Sequence, residues 1–122
     1  MNHWTIELWE NRNGVCYVEK DLLEKMERLL KERLFKRMGT LTKYTVQNAK
    51  SSDLLEDLGG GLLELKFKLP NAQIRFLGLI SYKDGSIPVF HALSAFRKKD
   101  QKIRVAYIKK ARDRQKEFEK NN

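Results

Sequence analysis

Cysteine is almost missing from this chain. Cys16 stands alone, so no disulfide can close within it. A single thiol suits a reducing compartment, and a cytoplasmic setting is the expectation. Only two prolines, Pro70 and Pro88, interrupt the sequence, which excludes a proline-rich linker or a collagen-like repeat. Long hydrophobic runs are missing too. The longest uncharged apolar stretch, Phe76 to Tyr82, falls far short of the roughly 20 residues a membrane helix needs, so no membrane partner is expected. Neither a positively charged start nor a small-residue cleavage site marks a signal peptide after Met1. His3 and His91 are the only histidines, so no zinc site is expected from spacing. The HExxH, G-x-S-x-G and G-x-x-x-x-G-K-[ST] patterns are all lacking.

Acidic groups are scarce beside basic ones. The 122 residues hold 25 Lys and Arg against 16 Asp and Glu, a net charge of +9. Such an excess favours a polyanionic partner: nucleic acid, an anionic membrane surface or an acidic protein. The excess is uneven. Residues 94–122 hold 11 basic and 4 acidic groups, leaving 14 and 12 for residues 1–93. The last quarter therefore carries most of the field. Apolar residues make up 41 % of the chain, enough for the modest core of a single domain spanning 1–122.

The local patterns predict an α+β fold. Trp4 to Trp9 is rich in strand formers. Val15 to Val18 reads as a short strand or an extended lead-in. Asp21-x-x-Glu24 resembles a capping box, and Leu22, Leu23, Met26, Leu29, Leu30, Leu34 and Met38 form one helical stripe. Gly39 is the expected C-terminal cap. The opposite side of that helix, with Lys25, Arg28, Lys31, Glu32 and Lys36, reads as a solvated face. Thr40 to Ser52 reads as loop, followed by a short helix over 52–58 that would carry Glu56 and Asp57 on the surface. Gly59 to Gly61 reads as a turn into a strand. Leu62 to Leu69 alternates cleanly, Pro70-Asn71 is a tight turn, and Ala72 to Tyr82 is the next strand. Lys83-Asp84-Gly85 is a further turn, and Ser86 to Leu93 another strand. Asp100 to Asn122 is the final helix, with Ile103, Ala106, Tyr107, Ala111 and Phe118 as its apolar stripe.

Hairpin arithmetic converts these strands into a candidate site. With Pro70-Asn71 as the turn, Leu69 pairs with Ala72, Lys68 with Gln73, Phe67 with Ile74 and Lys66 with Arg75. Paired residues in an antiparallel ladder share a face. One face is then core, and the other gathers Lys66, Lys68, Gln73 and Arg75. Two cations opposite one another are mildly repulsive unless an anion covers them, and a phosphate is the expected anion. His91 stays open at this level. A two-residue loop pairs it with Gly78 on the core face; a three-residue loop pairs it with Leu79 on the face of Arg75, because a one-residue slip exchanges the faces. Arg97, Lys98 and Lys99 follow the last strand and can reach over the same sheet face.

Several of these segments resemble a known family. Leu58-Gly59-Gly60-Gly61-Leu62-Leu63-Glu64-Leu65-Lys66 resembles the L-G-x-G-L-x-E-L-R block of the phage-derived branch of the RelE/HigB toxins. Ile74-Arg75-Phe76 resembles that branch's Y-R-x strand. Val89 to Leu93, followed by Phe96-Arg97-Lys98-Lys99-Asp100-Gln101-Lys102, is similar to its L-L-H-x-F-x-K-K-x-Q-K segment. The resemblance implies a RelE/ParE-like fold: a small, mainly antiparallel sheet with N-terminal helices on one face and a C-terminal helix. It also implies the toxin of a type II toxin–antitoxin pair, which enters the ribosome and cuts mRNA without metal or cofactor. Its partners would be a cognate antitoxin, the ribosome and mRNA. On matched positions, Arg75 would contact the scissile phosphate, Lys66 the developing charge, and His91 would act as acid or base. Lys68, Gln73, Arg97, Lys98, Lys99 and Lys102 would hold RNA. Members of the same superfold also poison DNA gyrase, so a non-catalytic binder or a basic nucleic-acid-binding module remain the alternative expectations.

Overall fold

The computed structural model describes residues 2–82 and 85–121. Lys83 and Asp84, two residues of the expected turn before the last strand, lie outside that range. Five strands form one mixed sheet: β1 (Thr5–Leu8), β2 (Leu55–Gly59), β3 (Leu62–Leu69), β4 (Ala72–Ser81) and β5 (Val89–Arg97). Their spatial order is β1-β5-β4-β3-β2. β1 runs parallel to β5, and the other three pairings are antiparallel. Helices α1 (Tyr17–Asp21), α2 (Arg28–Leu41) and α3 (Val46–Ser51) precede β2, and α4 (Gln101–Asn121) follows β5. The fold is therefore α+β with a C-terminal helix.

The period-2 alternation of β3 and β4 lets the sheet bury both faces. Leu63, Leu65, Phe67, Ile74 and Phe76 meet Leu30, Leu34, Met38 and Leu41 of α2. On the reverse face, Leu62, Leu77 and Phe96 pack on Ala111 of α4, and Trp9 and Leu93 pack on Phe118. The Phe96 and Tyr107 rings stack with centroids 5.0 Å apart. A β-bulge at Leu77/Gly78 leaves Leu93 as the extra residue of β5. Gly78 is required there, since a Cβ would lie 2.0 Å from the His91 carbonyl oxygen.

Several local expectations fail. The helix predicted over Leu22–Met38 is broken into a 3-10 turn over Leu23–Lys25 and α2, with Met26 and Glu27 extended between them. Asp21 caps nothing; its carboxylate accepts from Arg114 of α4 and from Ser94. Tyr17 and Val18 are helical rather than extended, and Cys16 makes only an isolated bridge to Glu10. The helix predicted over 52–58 is instead strand β2, because Asp53 turns the chain with φ +61° and Leu55 to Asp57 then pair with β3. Sheet pairing outweighs the weak helical preference of that segment. The short helix lies earlier, as α3, capped by Thr45, whose Oγ1 accepts from the Asn48 amide at 3.0 Å. The last strand also starts later and ends later than expected, reaching Arg97.

Gly39, expected to end α2, lies inside it. A Cβ there would meet nothing within 4 Å. Gly39→Ala should therefore raise unfolding stability by about 0.5–1 kcal/mol, since alanine restricts the unfolded chain and suits a helix. Urea denaturation would measure it; a loss of stability would contradict the helical placement.

Candidate nucleic-acid interface

The β3–β4 ladder has the register derived from the turn. Lys66 pairs with Arg75, and Lys68 with Gln73. These four residues share the sheet face on which α4 packs. Glu64 joins them by the same alternation, two residues before Lys66. Arg104 comes down from the first turns of α4, and Glu56 and Asp53 approach from the β2 side.

The cluster is tightly matched. The Arg75 side chain is 5 % exposed and that of Glu64 1 % exposed, with 3.9 Å between Nε and Oε2. Arg75 Nη2 donates to Gln73 Oε1 at 2.9 Å, and its Nη1 donates to the Ile74 carbonyl at 3.2 Å. Arg104 Nη2 donates to Glu64 Oε1 at 2.9 Å and lies 3.5 Å from Glu56 Oε2. Lys66 Nζ donates to Glu56 at 2.9 Å and to Asp53 at 3.1 Å. Burial pushes the Lys66 ammonium down, but hydrogen bonds and charge from Glu56 and Asp53 outweigh it and leave the pKa raised. Burial lowers Arg75, against the attraction of Glu64. The hydrogen bonds that Arg104 donates to Glu64 raise its pKa.

The two cations expected to face an open phosphate seat thus face carboxylates. A small hollow of about 150 Å³ remains between them, lined by Glu56, Glu64, Lys66, Arg75, Lys98, Gln101 and Arg104. It holds four cations against two carboxylates, so its field is still positive. Lys66 stays protonated near neutral pH. It suits charge stabilisation rather than proton abstraction.

Beyond the hollow lies an exposed basic rim. Asn71, Gln73, Arg97, Lys98 and Lys99 line a second depression of about 460 Å³ beside the hairpin tip. Two hydrogen bonds hold this segment: the Lys98 amide donates to the Gln73 carbonyl, and Arg97 Nη2 donates to the Asn71 carbonyl, both at 2.8 Å. Asp100 accepts from the Ile103 amide at 3.0 Å and caps α4. Lys68 and Lys102 are exposed near this rim without lining the depression.

His91 pairs with Leu79, which puts it on the face of Arg75. The two do not share a site. Four residues of β4 separate their positions, roughly 13 Å at the strand rise. His91 Nε2 and Ser81 Oγ share a hydrogen bond of 2.7 Å, Glu7 lies 3.6 Å from Nδ1, and the ring packs on Phe118.

Sequence reasoning missed Glu56, Glu64 and Arg104. Alternation puts Glu64 on the face of Lys66, so the covering anion comes from within the chain. Glu56 belongs to strand β2 rather than to the expected helix, and the place of Arg104 depends on where α4 lands. Among the described residues no three His, Cys, Asp or Glu side chains gather as a metal site, and no helix is long and apolar enough to cross a membrane. No family model, curated protein or solved structure matches the chain.

Removing Glu64 would strand two guanidinium groups. Glu64→Ala should cost about 3–5 kcal/mol, read as an earlier urea midpoint with an unchanged slope. A shift under 1 kcal/mol would show that the buried charges do not depend on it. Lys66 carries a pH signature as well. A raised lysine pKa adds stability that is complete below the unfolded value of 10.5 and lost as pH climbs through the folded one. The stability gap between the protein and Lys66→Met should therefore be constant at neutral pH and shrink in strong alkali. A gap independent of alkaline pH would refute the pairing.

Proposed function

We propose that this chain is the toxin of a type II toxin–antitoxin pair, a RelE/HigB-like endonuclease that cuts mRNA on the ribosome. The observation that carries the reading is the cationic rim of Gln73, Arg97, Lys98 and Lys99 opening into the positive Lys66/Arg75 hollow. Lys98 lines both. An RNA backbone laid along the rim would bring one phosphate to the hollow. The three motif blocks, in order along β2–β3, β4 and β5–α4, support the same reading.

Metal-independent cleavage needs a proton acceptor for the 2′-hydroxyl, positive charge for the phosphorane-like transition state, and a donor for the leaving oxygen. Lys66 and Arg104 would supply charge, the Lys66 ammonium would give the leaving 5′-oxygen its proton, and Arg75 would fix the floor. Glu56 is the carboxylate a hydroxyl can reach, its side chain being 41 % exposed against 1 % for Glu64. His91, on β5 opposite Leu79, lies too far along the sheet for that role. A cytoplasmic site of action and a small antitoxin follow from the same reading.

One observation favours a second reading. Lys66 and Arg75 are already satisfied by carboxylates, as suits a non-catalytic member of the fold that grips a nucleic acid or another target. Induced expression separates the two. The endonuclease should arrest growth and fragment mRNA. Glu56→Gln should then keep RNA binding while cleavage falls by about 10²–10⁴-fold. Lys98→Ala with Lys99→Ala should weaken binding and toxicity together. Growth arrest with intact mRNA would select the binder, and no growth effect would reject the toxin.

A further inference from the structure

The outer face of α2 carries a cationic stripe. Arg33, Lys36 and Arg37 stand at i, i+3 and i+4, one stripe of the helix, and all three are exposed. With Thr40, Leu69 and Pro70 they line a hollow of about 430 Å³. Like charges at this spacing repel, so the stripe is unfavourable on its own. Among the described residues none of the three has a carboxylate within ion-pair distance, although Arg28, on the same helix, is paired with Glu32 at 3.2 Å.

This hollow lies on the α2 side of the β3–β4 tip, and the rim depression lies on the β5 side. Leu69 lines both. The two are also linked the other way round. Arg37 lines a smaller cleft with Lys66 and Lys68, and Lys66 in turn lines the catalytic hollow with Lys98. Cation-lined depressions therefore encircle the hairpin end.

We infer that this end binds base-paired RNA, with one phosphate run in each depression and the tip between them. The inference rests on the RNA reading above and names the form of RNA that the surface takes. A single strand offers one backbone and would fill the β5-side rim alone. A stem brings two backbones across one groove, and the wide, shallow minor groove of an A-form helix admits a blunt ribbon end.

The test uses the full chain and two labelled probes of equal length: an RNA stem-loop and an unstructured strand. The stem-loop should bind about tenfold tighter. Arg33→Ala, Lys36→Ala and Arg37→Ala combined should remove that advantage. They should also lower the slope of log K against log salt by about 2–3, and leave the strand affinity within about twofold. Alanine suits an exposed helix, and circular dichroism would verify the fold. Equal binding of the two probes, or a triple variant with unchanged stem-loop affinity, would overturn the inference. If Lys98→Ala with Lys99→Ala still weakens the strand, the functional reading stands and only the second surface falls. Binding of neither probe at low salt would also overturn the inference, whereas the toxin reading falls only on the absence of growth arrest.

Discussion

The pairing register of β3 and β4 is the constraint on which this molecule depends. Side chains alternate across a strand, so the backbone ladder decides as one unit which of them meet. With Leu69 opposite Ala72, every large apolar residue from Leu63 to Phe76 turns toward α2, and the charged ones alternate to the opposite face. A slip of one residue would bury Lys66 and Lys68 against α2 and expose Phe67, at a cost no other interaction here could offset. Asn71 helps hold the register, because asparagine tolerates the left-handed turn it adopts at φ +65°.

That register has an electrostatic consequence. It places Glu64, Lys66 and Arg75 on a face that α4 covers, and charges beneath a helix must be matched. The match comes from two directions: Arg104 from α4, and Glu56 and Asp53 from the β2 side. Arg114 and Asp21 repeat the device further along α4, tying that helix to the end of α1. The terminal helix is thus attached by ion pairs as well as by Phe96, Ala111 and Phe118. Its strong positive charge is divided between groups that hold the fold and groups that face outward. Net charge alone could not separate these two populations.

The fold was largely legible, and the reason is local. The β3–β4 hairpin has strict alternation and a two-residue turn, so its register follows from counting. The terminal helix is long and opens with a capping aspartate. The segment from Cys16 to Gly61 was legible only in part. Its boundaries are set by what packs on the sheet: Asp21 is recruited by Arg114, and Leu55 to Asp57 by β3. The candidate site was half legible. Counting put Lys66, Lys68, Gln73 and Arg75 together, but it did not show that Arg75 would be buried or that Glu56 would reach Lys66.

From its sequence alone this chain is an α+β protein with a surplus of cations, one face of a hairpin positively charged, and a basic terminal helix. Those properties depend on neighbours a few residues apart. Tertiary structure decided the rest: which cations are neutralised, where His91 lies, and that Arg33, Lys36 and Arg37 join the hairpin end. Each of these is a contact between segments tens of residues apart, and only the packing of helices on the sheet brings such segments together.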